Sequence, residues 1–185
     1  MDDEQLVKRC LGNDTLAQKT LYERFAARLL GVCHRYVGSQ AEANDVLQEA
    51  FIKIFEKLHT LHETGALEPW MRRITVTTAL NYLKKNRKHQ FTEQVDDYMH
   101  LGENEKVHAL LGAEELMLLI QELPVNYRTV FNMYALDGYP HRDISQQLGI
   151  TESTSRAHYS RARALLIKKI ERVKHCDETY FQRWG

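Results

Sequence analysis

Proline is almost missing from this chain, with three in 185 residues, and glycine is limited to nine. So few breaks leave long helices as the expected local structure. Cysteine is equally scarce. Cys10, Cys33 and Cys176 are odd in number and widely spaced, which excludes a disulfide framework and a CxxC metal knuckle and suits a reducing compartment. No apolar run reaches about eighteen residues, which excludes membrane insertion by a spanning helix. The opening Met-Asp-Asp-Glu is acidic and polar, unlike a secretory leader, so the expected location is cytoplasmic. The nine histidines include no HExxH and no paired spacing on one helix, and the neighbours Cys33/His34 and His175/Cys176 are poor chelates. A metal hydrolase is therefore disfavoured, and neither metal nor cofactor is expected.

Net charge is absent as well, since 25 Lys and Arg balance 25 Asp and Glu. The balance is uneven along the chain. Residues 1–90 hold 14 basic and 11 acidic side chains, and residues 116–185 hold ten and seven. Between them, residues 91–115 carry seven acids and one lysine, with Gly102 and Gly112 and no clear apolar period. Two mildly basic parts thus flank an acidic middle. Apolar content of 43% is enough to give each a core. The expected organisation is a domain over 1–90, a linker over 91–112, a second domain over 113–174 and a tail over 175–185.

The first part reads as a helical bundle. A short helix near Glu4–Leu11 is closed by Gly12-Asn13, and a second runs from about Asp14 to Val37. Its apolar stripe is Leu21, Phe25, Leu29, Val32 and Tyr36. Ser39-Gln40-Ala41-Glu42 has the form of a capping box, opening a third helix to about Leu58. Projected at about 100° per residue, that helix gathers Leu47, Phe51, Ile54, Phe55 and Leu58 on a core face. Asp45, Gln48, Glu49 and Glu56 lie opposite, with Ile52 in their midst. An isoleucine ringed by carboxylates is either a solvated accident or a protein-contact patch with an apolar centre.

A polar connection, His59–Leu67, leads to a fourth helix over about Glu68–Lys88, with Pro69 in its first turn. From Trp70 to Gln90 there are six basic residues and no acid. Arg73, Thr77, Asn81, Lys84 and Lys88 form one stripe, and Val76, Ala79, Tyr82 and Leu83 form the opposite, buried one. Cations interleaved with Thr and Asn supply phosphate contacts and groups able to bond base edges. The helix dipole would explain basic residues at the end of this helix but not Arg72 and Arg73 near its start.

The second part contains a helix-turn-helix. Helices are expected at about Ala113–Glu122 and Pro124–Leu136. A short helix follows from Pro140 to Leu148, then a turn at Gly149, then a Thr151-capped helix to about Val173. The last helix has a core face of Tyr159, Ala162, Leu166, Ile170 and Val173. Its far face is Ser153, Ala157, Ser160 and Ala164, all small, bordered by Arg156, Arg161 and Arg163. Small residues let a helix backbone sit close in a major groove, and flanking arginines then reach guanine edges or phosphates. The chain as a whole reads as all-α: two small helical domains, a four-helix bundle and a helix-turn-helix, joined by an acidic linker.

Several segments in this order resemble the extracytoplasmic-function (ECF) group of bacterial sigma factors. Thr20-Leu-Tyr-Glu-Arg-Phe, Ala43-Asn-Asp-Val-Leu-Gln-Glu-Ala-Phe-Ile-Lys-Ile-Phe, Pro69-Trp-Met-Arg-Arg-Ile and Asn81-Tyr-Leu-Lys-Lys are similar to region two. Leu123-Pro, Arg128-Thr-Val-Phe, Asp143-Ile-Ser-Gln-Gln-Leu-Gly-Ile and Ser160-Arg-Ala-Arg are similar to region four. Where the family often has Ala, Val, Arg and Ser, this chain has Ser145, Ser155, His158 and Pro140.

The resemblance implies an RNA polymerase sigma factor, not an enzyme, whose partners are core polymerase and promoter DNA. Asp45, Gln48, Glu49 and Ile52 would dock on the clamp helices of the β′ subunit, and region four on the β flap. The minus-ten element would meet His59, His62, Arg72, Arg73, Thr77, Asn81, Lys84, Lys85 and Lys88. The minus-thirty-five element would meet Ser153, Arg156, Ala157, His158, Ser160, Arg161 and Arg163. An anti-sigma factor is a further partner that the resemblance allows. A stand-alone helix-turn-helix regulator is the rival reading, and it leaves the Asp45/Glu49 face and the acidic linker without a role. With no net charge and an acidic linker, the free chain is expected to bind promoter DNA weakly.

Overall fold

The computed structural model describes the backbone of residues 1–86 and 113–182, and the side chains of 1–86 and 115–172. The expected linker 91–112 and Lys88 lie outside the described residues, as do the side chains of the tail. The chain divides into two units, Met1–Arg87 and Lys88–Gly185.

The first unit contains α1 (Asp3–Leu11), α2 (Thr15–Tyr36), α3 (Gln40–Lys57) and α4 (Leu67–Asn86). Each start has a local cause. Asp2 accepts from the Gln5 amide, and Asp14 from the amides of Leu16 and Ala17. These bonds, the Ala17 amide first and the Arg9 side chain next, hold the Asp14 carboxyl below its ordinary range. The Ser39/Glu42 capping box opens α3, with both reciprocal bonds formed. The first helix closes through Asn13, which adopts a left-handed φ of 58°.

Helices α2, α3 and α4 pack on one another and α1 packs on α2. Leu21, Phe25 and Leu29 of α2, Leu47 and Ile54 of α3, and Met71, Val76 and Leu83 of α4 are all buried between these packed helices. Cys33 lies inside it, and burial pushes its thiol up to about 12, so it is an inert packing residue at neutral pH. Between α3 and α4, the residues from His59 to Ala66 form two short 3-10 turns, Leu58–Thr60 and Thr64–Ala66. Leu58 and Leu67 are buried and pin this connection at both ends.

The second unit contains α5 (Ala113–Gln121), α6 (Val125–Phe131), α7 (His141–Leu148) and α8 (Glu152–Gln182). Helices α5, α6 and α7 all pack on α8. The core joins Ile120, Leu123 and Tyr127 to Ala162 and Leu166. Two details differ from the sequence-based expectation. The helix expected over Pro124–Leu136 becomes π-helical from Asn132 to Leu136, where the Asp137 amide reaches back five residues to the Asn132 carbonyl. And α8 continues to Gln182 rather than stopping near Val173, because residues 174–182 include no Pro or Gly to interrupt it.

Gly149 takes φ +71° between α7 and α8, the left-handed geometry that the tight turn needs and that a side chain would strain. Two residues on, the Thr151 hydroxyl accepts from the Thr154 amide and caps α8.

Candidate nucleic-acid and protein interfaces

Helix α3 has two working sides. On one, Asp45, Gln48, Glu49 and Glu56 are exposed around Ile52, which is 59% exposed. Its buried side is held by Val46, Leu47, Ala50, Phe51 and Ile54. Such a side chain gains nothing by standing in water, so the patch is held out by the packing of the opposite face. Beside it Tyr22 of α2, itself exposed, packs on Phe51 with ring centroids 4.6 Å apart and the planes tilted by 52°.

On the other side α3 and α4 enclose a groove of about 360 Å³. Trp70 and Ile74 give it apolar surface, Lys53, Lys57 and Arg73 give it cations, and Thr77, Thr78 and Asn81 give it hydrogen-bonding groups. The Thr77 hydroxyl donates to the Arg73 carbonyl at 2.9 Å, and Thr78 donates to Ile74 likewise. The exposed Thr77 oxygen remains available as an acceptor, whereas Thr78 is buried. This mixture suits a planar, partly apolar ligand carrying negative charge, which describes a nucleotide.

The structure brings Arg73, Thr77 and Asn81 together in this groove. Lys84 and Lys85 stand exposed further along α4, and Arg72 is half-buried one position from Arg73. His59 and His62 are exposed on the connection before α4. Lys53 and Lys57 were not singled out by the sequence pattern. They sit four residues apart on α3, and only the packing of α3 on α4 turns them toward Arg73. Their spacing was the available signal, but nothing in the sequence sets how two helices are rotated against each other.

In the second unit, the outward side of α8 carries Ser153, Arg156, Ser160 and Arg163, all exposed, with Ala157 half-buried among them. Arg156 lies 3.7 Å from Glu152, a loose surface pair that leaves the guanidinium accessible. Arg161 is half-buried and its Nη1 is covered.

His158 corrects the expectation that it meets DNA. It is only 4% exposed and its ring stands edge-on to Tyr127 at 5.2 Å. It sits three residues after Ser155 and four before Ala162, on the buried stripe. A side chain packed there cannot reach a base. Burial first, and then Arg161, lower its pKa, keeping it neutral. Ser155, also fully buried, bonds the Nδ1 of His141 on α7 at 2.9 Å, a bond across the turn that satisfies its hydroxyl.

A four-helix unit with a cationic groove and a unit with a small-faced, arginine-bordered recognition helix define a DNA-directed helical protein with two modules. Comparison with known proteins places that class. Sigma-70 region 2 matches residues 21–89, and sigma-70 region 4 matches residues 113–166. An ECF RNA polymerase sigma-E factor of Haemophilus influenzae is 28% identical over 183 residues, covering 92% of this chain and 96% of that protein. The RNA polymerase sigma-H factor of Pseudomonas aeruginosa is 28% identical over 181 residues, covering 91% and 94%. Among solved structures, CnrH in complex with the cytosolic domain of CnrY aligns with a TM-score of 0.50 at 16% identity, over 91% of this chain and 97% of that one. The sigma factor RpoE of Bartonella quintana, in complex with the anti-sigma factor NepR, aligns with a TM-score of 0.50 at 15% identity, over 81% and 94%. These two likenesses concern the fold.

The chain belongs to the sigma-70 family. Within that family it is an ECF sigma factor, a non-catalytic initiation factor that directs core RNA polymerase to specific promoters. Among the described residues, no helix is long and apolar enough to cross a membrane, and no group of three or more His, Cys, Asp or Glu could hold a metal ion.

Proposed function

We propose that α3 is the hinge of the initiation function, with its two sides serving two partners. The Asp45, Gln48, Glu49 and Ile52 side docks on the clamp helices of the β′ subunit. The groove side, with Lys53, Lys57, Arg73, Thr77 and Asn81, holds the minus-ten element as it opens, and His59, His62, Arg72, Lys84, Lys85 and Lys88 approach the flanking phosphates. One observation carries the reading: a carboxylate-ringed exposed isoleucine and a cation-lined groove share a single helix. The first fits a basic protein surface, and the second fits a nucleic-acid chain.

Unstacking a base costs a few kcal/mol, and a fitted groove must return that energy. The groove offers apolar surface for stacking, cations for phosphates and acceptors for base edges. Helix α8 reads the minus-thirty-five element through Ser153, Arg156, Ala157, Ser160 and Arg163, with Arg161 at the margin, while the unit rests on the β flap. Each module alone is weak. Held on one polymerase, the second contact becomes intramolecular and the pair gains specificity. The domain limits proposed are region two over 1–90, a linker over 91–112 and region four over 113–174. The protein would work in the cytoplasm, where polymerase is. An anti-sigma factor is a fitting regulator, as in the complexes of its structural neighbours.

Run-off transcription tests the reading. Core polymerase, this protein and its own upstream DNA are combined, with Asp45→Arg and Glu49→Arg variants alongside a direct core-binding assay. Transcripts that require the wild-type chain and fade as core binding fades support it. A folded wild-type chain that does not bind core overturns it.

A further inference from the structure

Among the described residues of the second unit, two histidines are buried, and both lie where its helices meet. His141 is the first residue of α7 and is 8% exposed. Tyr134 of the π-helical turn stacks on its ring at 4.3 Å, nearly parallel at 12°. Tyr159 of α8 approaches at 6.0 Å, and Ser155 of α8 bonds Nδ1 at 2.9 Å. His158 lies one turn along α8 from Ser155, against Tyr127 of α6, and its Nδ1 has no hydrogen-bond partner. Imidazoles thus join α7 to α8 and α8 to α6, two of the contacts that hold the recognition helix in the unit.

The charged groups around them are unfavourable to a proton. Arg156 and Glu152 on α8 act on His141, with Glu152 already drawn to Arg156 at 3.7 Å. Arg161 acts on His158. On α6, Arg128 is buried beside Tyr127 and donates to the Gln121 carbonyl. The facing side chains Tyr127, Tyr134 and Tyr159 are neutral. Within α7 itself, His141 occupies the first turn, where the helix dipole opposes a cation, while the exposed Asp143 favours one. No buried carboxylate among the described residues of this unit stands ready to receive an imidazolium.

We propose that the helix-turn-helix unit is acid-sensitive: protonation of His141 and His158 loosens α7 and α6 from α8 and releases the recognition helix. The sign follows from burial. Both imidazoles are held neutral in the folded unit, with pKa values below the ordinary histidine value. The unfolded chain therefore takes up protons first. Stability is intact above about pH 6.5, the ordinary histidine range, and is lost as pH falls below it. Among the described residues of the first unit no histidine is buried, since His59 and His62 are exposed and His34 is half-buried. The consequence for promoter reading rests on the role proposed for α8, whereas the acid sensitivity itself does not.

Hydrogen–deuterium exchange on the full chain, at pH 7.5 and 5.5 with correction for intrinsic exchange, reads the effect by segment. One unit below the ordinary histidine value, proton uptake favours the opened form by up to about tenfold per histidine. Peptides of α7 and α8 are expected to lose protection at pH 5.5 while those of α3 and α4 keep theirs. The double variant His141→Asn, His158→Phe, which offers Ser155 a bond and Tyr127 a ring, is expected to abolish the difference. Equal protection of α7 and α8 at both pH values in the wild type, or an undiminished loss in the folded double variant, overturns the proposal. Should the double variant fail to fold, imidazole NMR titration of the wild type decides. Two resonances titrating below the ordinary value support the proposal, and their absence overturns it.

Discussion

The Nζ of Lys53 lies 2.5 Å from the Oε1 of Glu49, one helical turn away on α3. Glu49 belongs to the exposed acidic side and Lys53 lines the groove, so this pair stands where the two proposed interfaces meet. An exposed i,i+4 pair contributes only about 0.3–0.5 kcal/mol to stability. Its position matters more than its strength.

Charge reversal at Asp45 and Glu49 should therefore separate binding from folding. Glu49→Arg is expected to weaken core polymerase binding by tenfold or more, which is about 1.4 kcal/mol. The denaturation midpoint should move little. Fluorescence titration against core, with circular dichroism as the check on folding, measures both.

Removing a groove cation should alter the salt dependence of single-strand capture. With Lys57→Ala or Arg73→Ala, holoenzyme binding to a fork with a single-stranded minus-ten segment should lose roughly 0.7 from its log–log salt slope for each phosphate contact removed. An unchanged slope would mean that these side chains face no phosphate.

The outward side of α8 should respond differently from its inward side. Arg156→Ala is expected to cost about 1–3 kcal/mol at the minus-thirty-five element. Ala157→Leu should also impair binding, by pushing the helix backbone away from the groove. His158→Ala, by contrast, should destabilise the second unit by about 2 kcal/mol through lost packing on Tyr127. It should leave the preferred minus-thirty-five sequence unaltered. Denaturation curves and competition among promoter variants distinguish the cases.

Capping should govern the first unit. Ser39→Ala removes one half of the capping box and is expected to cost about 1 kcal/mol, seen as a lower denaturant midpoint at constant slope. The Asp14 carboxyl, held low by its amide bonds and Arg9, stabilises the start of α2 above about pH 4. That contribution is lost as pH falls through its depressed pKa. Acid titration of Asp14→Ala should show a shallower decline over that range than the wild type.

Much of this protein was legible in its sequence because helices are local objects. The Ser39/Glu42 box, the Thr151 cap and the Gly149 turn each depend on residues within four positions of one another, and all three form as the sequence pattern indicates. The acidic side of α3 and the small side of α8 follow from helical period alone. The ordered segments that resemble sigma regions two and four are likewise a property of the linear chain. Tertiary packing decided the remainder. It rotated α3 against α4 so that Lys53 and Lys57 join Arg73, and it set the Tyr127 ring of α6 against His158, whose place on the inward stripe the helical period already gives. It also gave the buried Ser155 hydroxyl a partner on α7, fourteen residues away. A helical period specifies which residues share a face, whereas the close packing of side chains from different helices decides what each face meets.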